Sequence, residues 1–371
     1  MLSISELQHL NALATQYKAL NQQIKISPYN TPLNRSDEKN KLFAAFRSGG
    51  EYNPQFVYKE VPFAWHVMYE QFLSQLNPDK NIWEHKLAED VRATLETLET
   101  LRTHDPALIT ASTIRQHGLP TLDLVTSAQE LLTSLPTHHE ERTISSQMAA
   151  EFMERALSQA NLHDWKVEIS SSMNAGMMVR GSHKQLLIRD DRMFSERELN
   201  RLLVHEIGTH IFRKANGQIQ PLRLLSIGLT GYLTTEEGLA AYHEHKFGLS
   251  DTTTMRRYAL RVLAAHLSLT HTYHEVFSEI VAFTDFEDAF NIVTRAKRGF
   301  VNTSEYGSHV KDKIYLEGFI LIQKHLAHHP EDYQVLMSGK VSIALIPQIQ
   351  KLRESEQFRD PVLFPDLLVS L

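Results

Sequence analysis

The 371 residues, 42% apolar and 22% charged, have the make-up of a folded chain long enough for two or three domains or one large one. A net charge of −6 argues against a nucleic-acid partner and gives no membrane-surface signal, and no apolar run approaches the length that crosses a bilayer. The absence of cysteine excludes disulfides, thiolate metal sites and cysteine nucleophiles; with an N-terminus that lacks a basic start and apolar core, it leads us to expect a cytoplasmic protein.

Taken in chain order, residues 3–22, 61–75, 82–103 and 121–134 carry helix-like apolar spacing. A polar, proline-containing stretch around Ser27–Pro32 and the segment Tyr52–Tyr58 lie between the first two. Pro136–Arg142 is the linker candidate, so an N-terminal helical region over 1–140 is expected to pack on a second part, 141–371. After a helix at about 145–160 the texture changes. Trp165–Ser170 alternates apolar and polar as a half-buried strand does, and Gly176–Arg180 and Lys184–Arg189 read as two more strands joined through Gly181–Ser182. From 235 onward the pattern is again mostly helical. The fold class expected is α+β, predominantly helical, with a small β-sheet ahead of a helix that begins at Ser195 and ends near Asn216–Gly217.

That helix carries His205-Glu206-Ile207-Gly208-Thr209-His210. Zinc peptidases commonly use H-E-x-x-H, with two histidine ligands one turn apart and a glutamate that works on water. Here one residue more intervenes. On an α-helix, residues five apart point roughly 140° apart, so the two imidazoles would diverge. Either the histidines are incidental to a buried helix, or a π-bulge near Gly208 brings them together. Three other His-Glu pairs, at His139, His243 and His274, have no histidine four or five residues after the first.

Two histidines are too few for a catalytic zinc, which takes three protein ligands and leaves a position for water. The third is sought in Thr234-Thr-Glu236-Glu237-Gly-Leu-Ala240. Glu236 and Glu237 are favoured, with His243, Glu244 and His245 competing, while Thr234 and Glu237 also have the spacing of a capping box. Periodicity does not choose among them.

These elements resemble the microtubule-associated tyrosine carboxypeptidase family, whose bacterial relatives are known by a Q-E-G-L-A motif. The resemblance implies a gluzincin-like metallopeptidase with one Zn2+ held by His205, His210 and Glu237, and Glu206 as general base. It extends to Asn53-Pro-Gln-Phe-Val-Tyr58, Arg213, Gln220-Pro221, Arg298-Gly299 and Lys311-Asp-Lys-Ile-Tyr315-Leu-Glu-Gly318. The chain departs in having His309-Val310 where relatives tend to have Phe-Thr, and alanine at 241, where gluzincins often place a histidine-orienting Asp.

The activity so implied is hydrolysis next to a C-terminal residue, plausibly tyrosine or another aromatic. Tyr315 is the candidate donor to the tetrahedral oxyanion, against simple packing on its own helix. Arg213 leads as the partner of the substrate carboxylate, against a role as a cation at a helix C-terminus; Lys311, Arg298 and Arg180 compete. The expected partner is a peptide or protein C-terminus. The family's eukaryotic members act on α-tubulin, but a negatively charged chain is poorly suited to that acidic tail. Two other readings stand: a dipeptidyl-peptidase III-like enzyme with the same histidine spacing, cutting from the N-terminus, and a non-enzymatic regulator.

Overall fold

The computed structural model of the chain describes residues 2–24, 26–136, 141–171, 173 and 175–368. The linker candidate Pro136–Arg142 lies partly outside them, at 137–140. Six helices open the chain: α1 (Ile4–Gln23), α2 (Arg35–Ser48), α3 (Phe63–Leu73), α4 (Ile82–Thr103), α5 (Pro106–His117) and α6 (Leu122–Ser134). Four are the expected ones. The other two have clear local causes. In α5, Asp105 accepts from two backbone N–H groups, Pro106 starts the helix with a preset φ, and Gly118 stops it. Gly49 ends α2 at φ 70°, a left-handed position that suits glycine.

Strand β1 (Ile144–Ser145) and helix α7 (Ser146–Gln159) lead into β2 (Lys166–Ser170), β3 (Met177–Arg180), β4 (Gln185–Arg189) and β5 (Met193–Phe194). The main sheet has the order β2-β4-β3, with β2 parallel and β3 antiparallel to β4. Both β2 and β3 are therefore edges, and β3 packs against the helix that follows.

That helix begins as α8 (Glu196–Leu202), where the Ser195 hydroxyl accepts the N–H of Glu198 at 3.0 Å. Glu198 does not reach back to complete a box; it pairs with Arg192 at 2.7 Å. The helix then widens into a π-helix over Leu203–Ile211 and returns to α geometry as α9 (Phe212–Gln218). Long helices complete the chain: α10 (Tyr232–Lys246), α11 (Thr252–Leu267), α12 (Tyr273–Val281), α13 (Phe286–Ala296), α14 (Ile314–His328), and the short α15 (Asp332–Met337) and α16 (Ile346–Glu354).

Apolar side chains bury in two clusters. One joins Leu10, Tyr17, Phe72 and Val91 of the N-terminal helices to the sheet, the π-helix and α16. The other joins Leu42, Phe56 and Leu124 to α11, α12, α13 and α14. The N-terminal helices thus pack on the rest of the chain through both. Helices α10 and α14 cross at Gly238 and Gly318, so closely that a Cβ on either would overlap the other's backbone. This crossing sets α14 alongside the turn of α10 that carries Glu236 and Glu237. Among the described residues no helix is long and apolar enough to cross a membrane.

Candidate active site

In a π-helix each N–H bonds the carbonyl five residues back, so residues five apart stack as residues four apart do in an α-helix. His205 and His210 consequently face each other, with ring centroids 4.8 Å apart. The widened stretch is longer than the single bulge anticipated. Thr209 helps to hold it open: its hydroxyl donates to the Val204 carbonyl at 3.0 Å and meets His243 Nδ1 at 2.7 Å. Gly208 also meets a need outside its own helix. A Cβ there would lie 3.2 Å from Pro365 and 3.3 Å from Leu368, so the glycine makes room for the C-terminal segment. Asn216 and Gln220 tie that segment down through hydrogen bonds to the backbone of Val362, Leu363 and Arg359.

Glu237 does not cap a helix. Helix α10 starts earlier, after Gly231 at φ 89°, and leaves Glu237 in its interior, facing the π-helix. One oxygen, Glu237 Oε2, lies 3.5 Å from His205 Nε2 and 3.7 Å from His210 Nε2. It is buried without a hydrogen-bond partner. The three prospective ligand atoms all lie within 4.8 Å of one another.

The far side of each imidazole fixes its tautomer. His205 Nδ1 is 2.8 Å from Glu244 Oε1, and His210 Nδ1 is 2.9 Å from Glu236 Oε1. Burial would raise the Glu244 carboxyl, but Arg201 and the hydrogen bond from His205 outweigh it and hold it at about 2. Glu236 is likewise kept well below the usual carboxylate range by Lys340 and Arg213 against the opposing effect of burial. Both are carboxylates, which only accept, so both Nδ1 atoms carry the proton and both Nε2 lone pairs point at Glu237. Three lone-pair donors converging without a hydrogen between them form a set that a cation completes. Two imidazoles and a carboxylate oxygen, each histidine backed by a carboxylate, suit zinc by donor chemistry.

A family model described as microtubule-associated tyrosine carboxypeptidase matches residues 43–370. The chain belongs to this family. It is 28% identical over 345 residues to microtubule-associated tyrosine carboxypeptidase 1 of Mus musculus and, to the same extent, to that of Homo sapiens, matching 91% of this chain. These matches span 64% of the relatives' length. A putative tyrosine carboxypeptidase of Mus musculus, MATCAP2, is 34% identical over 173 residues, 45% of this chain and 32% of its own.

The tyrosine carboxypeptidase elements now acquire positions. In Lys311–Gly318, Asp312 pairs with Arg295, Leu316 enters the second core, Gly318 makes the helix crossing, and Tyr315 stacks on Tyr258 with ring centroids 5.3 Å apart. Burial and the nearby Glu237 push the Tyr315 phenol far above its ordinary range, so it stays protonated. Its hydroxyl has no hydrogen-bond partner among the described residues. The same holds for the buried carboxylate of Glu206, next to His205. Asn53–Tyr58 meets Arg298-Gly299, the Tyr58 hydroxyl accepting the Gly299 N–H at 3.1 Å.

Arg213 corrects an expectation. It is wholly buried, with its Nε and Nη2 donating to the carbonyls of Leu336 and Val341 at 2.8 and 2.7 Å and its Nη1 paired with Glu236. With each of its three nitrogens engaged and none of it exposed, Arg213 is out of reach of a substrate carboxylate; it instead braces the carboxylate behind His210. Glu236, the other favoured ligand candidate, is that brace's partner. Glu244, a competing ligand, stands behind His205, held by Arg201 at 2.6 Å and by the Tyr258 hydroxyl at 3.1 Å. Sequence reasoning left both supports open, although Glu244 is seven residues beyond Glu237 and so on the same helix face. His243 and His245 are engaged elsewhere, with Thr209 and Tyr333 and against Phe319. Arg180 ends β3, at the hairpin with β4.

Proposed function

We propose that this chain is a gluzincin-like zinc metallocarboxypeptidase that removes a C-terminal residue, plausibly tyrosine or another aromatic, from a peptide or protein. The observation that carries the reading is the convergence of His205 Nε2, His210 Nε2 and Glu237 Oε2 beside a buried carboxylate, Glu206, that has no protein partner among the described residues. His205, His210 and Glu237 would hold the ion, which when bound lowers the pKa of a water ligand toward about 7 and polarises a carbonyl. Glu206 accepts the proton of the attacking water and delivers it to the leaving amine. Tyr315, kept as a phenol, donates a hydrogen bond to the oxygen on which negative charge develops. The free edge of β3, packed against the π-helix, can align an extended peptide by backbone pairing.

The relatives' names speak of tyrosine and microtubules. A net charge of −6 does not favour tubulin for this chain. An unpartnered Glu206 speaks against a purely regulatory protein. The test is hydrolysis of peptides ending in tyrosine, with free or amidated termini, by zinc-loaded wild type and Glu206→Gln. Release of the last residue from free termini alone, lost in the variant, is expected; equal cleavage of amidated peptides would overturn the carboxypeptidase reading.

A further inference from the structure

Away from the active site, a second set of metal-binding side chains gathers where α14 ends. His325, in the last turn, and His329, the first residue past it, are four apart and so share a face, with ring centroids 5.2 Å apart. Pro330 then turns the chain, its carbonyl accepting the Tyr333 N–H at 3.2 Å as α15 begins. This turn brings Glu331 and Asp332 back to the imidazoles. Glu331 Oε1 stands 3.6 Å from His329 Nδ1, and Asp332 Oδ2 stands 2.9 Å from His325 Nε2. One ligand atom each from His329, Glu331 and Asp332 all lie within 4.8 Å of one another.

Two features separate this cluster from ordinary surface acids. Asp332 is buried, and neither it nor Glu331 has a lysine or arginine within ion-pair distance among the described residues; histidines are their only ion-pair partners. A buried carboxylate without a counter-charge costs stability that a bound cation recovers. Asp332 is also aimed. Gln350 donates to its Oδ1 at 3.0 Å and His325 holds its Oδ2, which fixes the carboxylate as metal ligands are fixed, and each oxygen keeps a second lone pair. An imidazole beside two carboxylates suits an ion of the Zn2+ kind better than Ca2+ or Mg2+, which favour oxygen ligands.

We propose that His329, Glu331 and Asp332 bind a second divalent ion of the Zn2+ kind, with His325 orienting Asp332 and water filling the other positions. His329 and Glu331 are exposed, so this site holds its ion more weakly than the buried set of His205, His210 and Glu237. The ion ties the end of α14 to the start of α15. It thereby joins two elements that support the active site, because α14 carries Tyr315 and Leu336 of α15 accepts a hydrogen bond from Arg213. The assignment does not depend on the peptidase reading.

The experiment titrates further Zn2+ into full-length protein already loaded with one equivalent, followed by calorimetry in a buffer that does not bind the metal. Wild type should take up one more equivalent, more weakly than the first, and release it on dialysis against a weak chelator. His329→Ala combined with Glu331→Gln should weaken that second uptake by more than the roughly tenfold that loss of a supporting residue costs. Both side chains are exposed, so the metal-free melting temperature should stay where it is, which separates loss of the site from loss of the fold. His163→Ala, which removes an exposed histidine elsewhere, should bind as wild type does. Glu237→Ala should lose the tight ion and keep the weak one, so that failure of either site is read separately. Absence of a second equivalent, or one of undiminished affinity in the double variant, would overturn the assignment.

Discussion

The two walls of the site treat charge in opposite ways. Behind His205 and His210, Glu236 and Glu244 are buried, yet every oxygen is matched: Glu236 by His210, Arg213 and Lys340, Glu244 by His205, Arg201 and Tyr258. Across from them, Lys311, Arg298 and Arg261 are half-buried and have no carboxylate within ion-pair distance among the described residues, where Glu206 and Tyr315 likewise present groups with no hydrogen-bond partner. A saturated network holds one geometry, which is what metal ligands require. An unsaturated one is where a substrate finds its bonds. The difference divides the site into scaffold and working surface more sharply than distance from the metal does.

Substitutions on each wall should therefore fail in different ways. The largest effect is expected on the working wall. Glu206→Gln should lower kcat by about 10²- to 10⁴-fold with zinc content and melting temperature retained. On the scaffold wall, Arg213→Met would leave Glu236 buried with a reduced complement of partners, and should cost about 3–5 kcal/mol in denaturant unfolding. Had Arg213 been a substrate anchor, the same change would raise KM and spare stability. Tyr315→Phe should reduce kcat by about 10²-fold, with KM little changed and the fold intact. The smallest effect belongs to Lys340→Met, which removes one charged hydrogen bond while Glu236 keeps Arg213; about 1.5 kcal/mol of stability is expected, read by the same unfolding curves.

How much of this was legible in the sequence follows the same division. His205, His210, Glu206 and Glu237 sit within one short stretch and one following helix, where residue spacing carries geometric meaning. The extra residue between His205 and His210 announced a widened helix, and a π-helix over Leu203–Ile211 is what stands there. The strand segments and four of the six N-terminal helices were equally local. Helix α5 could have been found from Asp105, Pro106 and Gly118, whose capping roles depend only on neighbours. Arg213 could not have been placed. Its partners, the carbonyls of Leu336 and Val341, are more than a hundred residues away, so nothing nearby in sequence distinguishes a buried brace from an exposed anchor. Glu244 and Glu236 lie on one helix, but which histidine each supports depends on how α10 docks against the π-helix.

Zinc stoichiometry, measured by elemental analysis on wild type, Glu206→Gln and Glu237→Ala after dialysis against a weak chelator, tests the central claim most directly. One ion per chain retained in wild type and Glu206→Gln, and lost in Glu237→Ala, is the result that follows from three converging lone pairs and a separate base. Wild type without zinc, or Glu237→Ala retaining it undiminished, would contradict the metal centre.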